Sequence, residues 1–165
     1  MMKTTAKRVR ELLNYEPDTG IFTWRVARGG GIKSGDVAGN IDTCGYAQIR
    51  IDGRRYSAHR VAYLYMTGEW PVEEIDHKDR NQANNCWSNL RSATRSNNVA
   101  NRGCLITNKS RFKGASWDKK TQKWRATIVA NGKWRLLGYF ATAIEAHEAY
   151  AAKAKELFGE FARAA

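Results

Sequence analysis

The chain has 165 residues, 42% of them hydrophobic and 27% charged, a composition typical of a folded protein of one ordinary domain or two small ones. Its 28 Lys and Arg against 16 Asp and Glu give a net charge of +12, which indicates a polyanionic partner, most often nucleic acid. No run of residues approaches the ~18 apolar positions of a membrane span, and the basic N-terminus lacks the apolar stretch of a secretory signal.

Cysteine and histidine usage points to a reducing compartment. The three cysteines are odd in number and far apart, so they fit neither a disulfide framework nor a CxxC zinc pair. With only three histidines in addition, no structural zinc is expected. We therefore expect an intracellular, cytoplasmic protein.

The first half of the chain carries the signals of short helices and strands. Asp52-Gly53 is a typical two-residue hairpin turn, and Gly68 is typical of a helix end. In chain order we predict a helix at 4–14, a turn at 15–20, a strand at 21–24, a loop at 29–45, hairpin strands at 46–51 and 54–58, and a helix at 59–65.

The second half concentrates the basic charge. Residues 106–140 hold nine basic residues and one acidic residue, a net +8 (9 − 1). Alternation around Arg125, a hairpin turn at Asn131-Gly132 and a capping box at Thr142-x-x-Glu145 predict three antiparallel strands with one helix laid across them. We expect Trp117 and Trp124 to lie in the core of this unit.

Residues 110–161 closely resemble the AP2 DNA-binding domain. The matching features are Lys113-Gly114, the strand Lys123-Trp124-Arg125-Ala126, the run Leu137-Gly138-Tyr139-Phe140, and the helix with Glu145-Ala146 and Ala149-Tyr150. The resemblance implies that the sheet lies in the major groove of double-stranded DNA. The expected DNA-binding residues are Lys113, Ser116, Lys119, Lys123, Arg125, Thr127, Lys133, Trp134 and Arg135. Ser116, Asp118 and Val129 stand where plant members carry arginine, so the base preference is not carried over.

Residues 72–102 carry the side chains suited to catalysis. Phosphodiester hydrolysis needs a base to activate water and a divalent metal to neutralise the phosphate, and histidine has a pKa suited to the base. Asp76 and Asn98 offer the oxygen ligands that Mg²⁺ or Mn²⁺ prefers, next to the imidazole of His77. An isolated Asp-His pair is also typical of a surface turn, so the pair carries weight only in combination.

The combination resembles the HNH nucleases of the homing-endonuclease type, over residues 58–102. The matching features are His59-Arg60, Gly68-x-x-Pro71, Ile75-Asp76-His77-x-Asp79, Asn85-x-x-x-Asn89-Leu90-Arg91, and the helix with Asn97-Asn98 and Asn101. This family has a ββα-metal fold, which implies Asp76-His77 at the end of the first strand, Asn89 in the connection and Asn98 on the following helix, with Thr94 as its N-cap.

The resemblance also implies the roles of the residues. His77 corresponds to the general base, Asp76 and Asn98 to the ligands of Mg²⁺ or Mn²⁺, and Asn89 to the residue that holds the loop and orients the His77 ring. Asn97 is the alternative ligand. His59 is expected to be a packing or capping residue.

Together these observations predict an α+β protein in two parts. We expect an HNH endonuclease domain at 1–101 (core about 58–101), a linker at 102–110 and an AP2-like domain at 111–161. The predicted function is metal-dependent, site-directed cleavage of double-stranded DNA by a monomer or weak dimer, as in nucleases of phages and mobile elements. The alternatives are a non-catalytic DNA-binding regulator with a decayed nuclease domain, and an RNA-binding module.

Overall fold

The computed structural model describes residues 4–103 and 108–163. The chain divides into two compact units, Met1–Ser92 and Ala93–Ala165. This division precedes the linker predicted at 102–110, of which residues 104–107, including Cys104, lie outside the described residues. Both units mix helices with antiparallel strands, in agreement with the predicted α+β class.

The N-terminal helix is shorter than the sequence pattern predicted. Helix α1 spans Ala6–Leu12, and Thr5 caps it by accepting a hydrogen bond from the Arg8 N–H. The chain then continues directly into strand β1, Leu13–Glu16, which pairs with strand β2, Ile21–Trp24. The predicted helix over 4–14 is therefore wrong at its C-terminal end. The reason is that Leu13 is fully buried when it pairs with Trp24 as a strand residue.

A second sheet and a helix complete the core of the first unit. The sheet contains β3 (Asn40–Ile41), β4 (Ala47–Ile51) and β5 (Arg54–Ser57), and helix α2 spans Ala58–Thr67. The predicted turn at Asp52-Gly53 is confirmed, since both residues have positive φ angles. The helix ends at Gly68, as predicted, and Gly68 adopts the left-handed conformation. Ile49 and Ile51 of β4 and Val61 and Leu64 of α2 are almost completely buried in one cluster.

Two further strands and a short helix follow. Strand β6 (Glu74–His77) neighbours strand β7 (Leu90–Ala93), and one turn of 3₁₀ helix at Trp87–Asn89 precedes β7. Helix α3 spans Arg95–Asn101 and begins at the predicted N-cap Thr94, whose hydroxyl accepts from the Asn97 N–H. These elements place Asp76-His77 at a strand end and Asn89 in the connection.

The second unit contains a three-stranded antiparallel sheet with a long helix against one face. Its strands are β8 (Ala115–Asp118), β9 (Lys123–Ala130) and β10 (Lys133–Phe140), with β9 in the centre, and helix α4 spans Ala143–Phe158. The predicted capping box is confirmed, because Thr142 and Glu145 bond each other's backbone N–H groups.

The packing between the sheet and α4 relies on small residues. Ala126 of β9 and Ala146 of α4 are fully buried in one cluster, and Ile128 lies with Tyr150 in another. Alanine side chains allow the backbones to approach closely, so the helix covers this face of the sheet along most of its length.

Trp117 departs from the prediction. It is 45% exposed, although it pairs across the sheet with Trp124 and their rings meet edge to face at 5.3 Å. Trp124 is half-buried against the cluster that contains Ala126 and Ala146. Trp117 lies on the edge strand β8, where fewer side chains are available to cover it. Within the described residues, no helix has the length and apolarity required to span a bilayer.

The fold predicts different effects of alanine at two glycines of the second unit. Gly114 and Gly132 have similar φ angles of 81° and 73°, so a side chain at either is strained by ~1–2 kcal/mol. A Cβ at Gly114 would lie 2.1 Å from Cγ of Tyr150, whereas one at Gly132 meets nothing within 4 Å. We expect Gly114→Ala to cost about 1–3 kcal/mol more than Gly132→Ala, measured by urea unfolding. Equal losses would show that the Gly114–Tyr150 contact does not limit packing.

Candidate active site and candidate nucleic-acid interface

The end of strand β6 buries two polar side chains in succession. Asp76 is 6% exposed and His77 is 5% exposed, and Ile75 before them is also buried. Successive residues of a strand point to opposite faces, so both faces of β6 are covered at this end. Burial of a carboxylate and an imidazole is costly unless each is hydrogen-bonded, so their partners define the site.

Asp76 forms an ion pair with Arg91 of the neighbouring strand β7. The guanidinium donates to Oδ2 of Asp76 from Nε and Nη2, each at 2.9 Å, and the two side chains are 7% and 11% exposed. Arg91 belongs to the motif by which the sequence resembles the HNH nucleases, but its partner was not predicted. The pairing compensates the buried carboxylate and fixes where it points.

The His77 ring is held by an amide and by aromatic rings. Its Nε2 lies 3.2 Å from Oδ1 of Asn85, which is itself 3% exposed. The His59 ring approaches it edge to face at 5.0 Å, and the Tyr46 ring lies 6.2 Å away. Sequence reasoning noted Asn85 only as part of the motif and gave it no role. Its position eight residues after His77 in an Asn-rich loop was the one available signal.

Asn89 locks the loop between β6 and β7. Its side chain accepts from the Asp79 N–H at 3.0 Å and donates to Oδ1 of Asp79 and to the carbonyl of Asn84. Burial alone would raise the pKa of Asp79, but hydrogen bonds from Asn84, from the Asn81 N–H and from Asn89 outweigh it and hold that pKa below its usual range. The carboxylate therefore remains ionised and keeps the loop closed at neutral pH.

His59 is buried, as expected of a packing residue. It is 8% exposed, and burial, followed by the charges of His77 and Arg60, lowers its pKa to about 3. The ring is therefore neutral at physiological pH. The uncharged His59 ring packs against the His77 ring.

The proposed second metal ligand lies on helix α3, in the second compact unit. Asn98 is half-buried in the first turns of α3, and its N–H donates to the Thr94 carbonyl at 3.0 Å. Its neighbour Asn97 is half-buried as well. Asp76, His77 and Asn89 thus belong to the first unit, and Asn98 belongs to the second.

The sheet of the second unit leaves one face uncovered, which we call the open face. Direct cross-strand pairs share a face, and Arg125, paired with Ser116 and Tyr139, lies opposite the helix side. Further along, Thr127 pairs with Leu136 and Val129 with Trp134. The open-face residues are Ser116, Asp118, Lys123, Arg125, Thr127, Val129, Trp134, Leu136 and Tyr139.

Strand register separates the predicted DNA-binding residues into two groups. Arg135 pairs with the buried Ile128, and Lys133 pairs with the buried Ala130, so both lie on the α4 side of the sheet. Lys119 is exposed in the turn after β8. These three positions lie outside the open face.

Lys113 is engaged within the protein. Its ammonium donates to the carbonyls of Ala100 and Arg102 at the C-terminal end of α3, and it lies 5.8 Å from the centre of the Tyr150 ring. A cation at a helix C-terminus is favourable because it compensates the last carbonyls. Lys113 thus anchors α3 within the second unit.

Comparisons with known proteins agree with the motif. Residues 56–100 match a family model described as HNH endonuclease. Protein 3.8 of Escherichia phage T7 is 42% identical over 59 residues, which are 36% of this chain and 49% of that protein. The uncharacterized HNH endonuclease L560 of Acanthamoeba polyphaga mimivirus is 34% identical over 116 residues, 69% of this chain and 59% of that one. The chain thus spans about half to three-fifths of the length of these relatives.

A solved structure is also similar along much of the chain. That structure is described as "DNA binding and cleavage by the HNH homing endonuclease I-HmuI". The alignment covers 90% of this chain and 82% of the other chain, with 27% sequence identity and a TM-score of 0.47. The family match over residues 56–100 overlaps the segment 58–102, in which the sequence resembles the HNH nucleases.

The buried ion pair at the site predicts a large loss of stability when it is broken. Arg91→Ala leaves the Asp76 carboxylate without this partner in a buried position, and we expect a loss of about 3–5 kcal/mol in urea unfolding. The control is Arg8→Ala, which breaks a pair with Asp52 at 3.0 Å in which both side chains are almost half exposed. We expect a much smaller change there. Similar midpoints for the two variants would contradict a buried pair at positions 76 and 91.

Proposed function

We propose that this protein is a metal-dependent, site-directed DNA endonuclease of the homing-endonuclease kind. The observation that carries the proposal is the buried Asp76-His77 pair at the end of β6, inside the segment that matches the HNH endonuclease family. Double-stranded DNA is the proposed partner, which agrees with the net charge of +12 and with an intracellular location in a host cell.

The donor set in the proposal fits a hard divalent cation. Asp76 contributes a carboxylate and Asn98 an amide oxygen, and Mg²⁺ or Mn²⁺ prefers oxygen ligands while keeping several waters. Within the described residues, no three His, Cys, Asp or Glu side chains cluster as a metal site would require. The proposed set depends on one carboxylate and one amide only, so it does not need such a cluster. Asn97 is the alternative to Asn98.

In the proposed reaction His77 acts as the general base. Its ring accepts a proton from a water molecule whose oxygen attacks the scissile phosphorus, while the bond from phosphorus to the 3′-oxygen breaks. The leaving 3′-oxygen takes up a proton from solvent, so the products are a 5′-phosphate and a 3′-hydroxyl. A bound divalent cation would neutralise the negative charge that grows on the phosphate and on the leaving oxygen.

Asn89 supports this reaction by keeping the loop in place. Because its side chain bonds both the backbone and the carboxylate of Asp79, the segment after His77 is fixed at its start. A base must stay within hydrogen-bond reach of the water that it activates, so a rigid loop favours catalysis.

We propose that residues 111–161, which lie within the second unit, form an AP2-like reader of double-stranded DNA. The open face carries Arg125, whose side chain is 37% exposed and whose Nη1 lies 3.7 Å from the Asp118 carboxylate, and Thr127 lies beside it. Trp134 and Leu136 on the same face are 57% and 44% exposed, and apolar side chains of this kind can contact thymine methyl groups in the major groove. Lysines at its edges and turns would bind phosphates.

One observation favours the alternative, a DNA-binding regulator that does not cleave. Arg91 already neutralises the Asp76 carboxylate, which reduces the attraction of that carboxylate for a cation. Incubation with supercoiled plasmid separates the two functions. Nicking in Mg²⁺ that EDTA abolishes supports the nuclease, and a mobility shift without nicking supports the regulator.

The proposed base gives a direct test. His77→Ala should lower the rate of plasmid cleavage by about 10²–10⁴-fold because the general base is lost, while the affinity for DNA changes little. The control is His147→Ala, in the second unit, where the ring Nδ1 contacts the Lys113 carbonyl. His147→Ala should cleave at nearly the parental rate. A His77→Ala variant that cuts as fast as the parent would exclude His77 as the base.

The register of the sheet gives a test of the reader. The double variant Lys123→Ala/Arg125→Ala removes two charges from the open face, and Lys133→Ala/Arg135→Ala removes two from the α4 side. If the open face contacts DNA, the first variant should make the plot of log Kobs against log salt shallower by about 1–2, at ~0.9 for each phosphate that is no longer neutralised. The second variant should change this slope much less. Equal changes would indicate that net charge alone controls binding.

A further inference from the structure

The amide of Asn85 faces the His77 ring with its oxygen. The two side chains are 3% and 5% exposed, and Oδ1 of Asn85 lies 3.2 Å from Nε2 of His77. The other end of the amide donates from Nδ2 to the carbonyl of Ala83 at 3.0 Å. Since the nitrogen has an acceptor on its own side, the oxygen is the atom directed at the ring.

This orientation dictates which nitrogen of the ring carries the proton. An amide oxygen only accepts hydrogen bonds, so Nε2 of His77 must donate. A neutral imidazole has one N–H, and with that proton on Nε2 the lone pair of the other nitrogen lies on Nδ1. Nδ1 is then the atom able to accept a proton from water.

Asn85 is held in place from the opposite side by the β1–β2 hairpin. The Tyr15 hydroxyl of β1 donates to the Asn85 carbonyl at 2.7 Å, and burial raises the pKa of Tyr15, so the hydroxyl remains a donor. Gly20, in the turn of the hairpin, lies so close that a Cβ there would be 2.3 Å from the Asn85 carbonyl carbon. The position of Asn85 thus depends on long-range packing within the first unit.

We propose that Asn85 is the positioning residue that fixes the tautomer and orientation of His77, so that Nδ1 is the basic atom in the reaction. This inference rests on the proposed function, in which His77 is the general base. It assigns the orienting role to Asn85, whereas Asn89 contacts Asp79 and Asn84 and holds the loop.

The tautomer can be observed without any catalysis. The chain has three histidines, so ¹⁵N spectra of the rings can be assigned with His59→Gln and His147→Gln variants. In EDTA, at a pH at which the ring is neutral, the parent should show His77 protonated at Nε2, with a slowly exchanging ring N–H signal. A His77 ring protonated at Nδ1 in the parent would overturn the proposal.

Two substitutions at position 85 and one beside it separate positioning from loop structure. Asn85→Ala removes the acceptor, so the ring N–H signal should be lost. We expect kcat to fall by about 10–100-fold, which is part of the ~10²–10⁴-fold that a positioned base supplies. Asn85→Asp keeps an acceptor oxygen and should retain the signal and most of the rate. Asn84→Ala disturbs the same loop, because Asn84 donates to Asp79, and it should leave the His77 signal in place.

The outcomes distinguish this inference from the proposed function. If Asn85→Ala keeps both the ring N–H signal and the parental kcat, Asn85 is not the positioning residue. If Asn84→Ala loses the ring N–H signal as fully as Asn85→Ala does, the signal depends only on an ordered loop, and the proposal fails. If the parent shows the Asn85-dependent signal but never cuts plasmid in Mg²⁺, the nuclease function fails while the contact between Asn85 and His77 stands.

Discussion

The burial of two polar side chains at the end of strand β6 is the main constraint on the structure of the first unit. A carboxylate and an imidazole are buried there side by side, and such groups are stable in a protein interior only with well-placed partners. Arg91 supplies charge to Asp76 from the neighbouring strand, and Asn85 supplies an acceptor to His77 from the loop. The strand pairing, the loop and the β1–β2 hairpin therefore all contribute to the geometry of two side chains.

The loop between β6 and β7 is held in one conformation by hydrogen bonds from its asparagine side chains. Its asparagines are not interchangeable: Asn89 ties the backbone at Asp79, Asn84 bonds the Asp79 carboxylate, and Asn85 faces His77. Short polar side chains can bond backbone groups nearby, which is why an Asn-rich segment can be rigid without regular secondary structure. The proposed chemistry needs this rigidity, because a base and its water must remain aligned.

The second unit shows how strand register decides which charges face outward together. Basic residues at alternate positions of β10 lie on the α4 side, whereas Arg125 lies on the open face with exposed Trp134 and Leu136. Lys113 is used to cap α3, the helix that carries Asn98. The unit proposed to read DNA thus also anchors the helix that supplies the second proposed ligand.

Local signals in the sequence predicted much of this protein because their causes lie within a few residues. The turns at Asp52-Gly53 and Asn131-Gly132, the cap at Thr94 and the capping box at Thr142 all depend on neighbouring backbone groups, and all were found as predicted. The motif around Asp76-His77 likewise predicted the segment that matches the HNH endonuclease family model, because its residues are close in the chain.

Tertiary structure decided what depends on residues far apart. Leu13 left the predicted helix because its strand partner Trp24 buries it, and Trp117 stayed exposed because its strand lies at an edge. The contacts of Asn85 with Tyr15 and Gly20 cross more than sixty positions, which no spacing rule anticipates. The sequence determined which side chains are available for the chemistry, and packing between distant segments determined which of them hold the His77 ring.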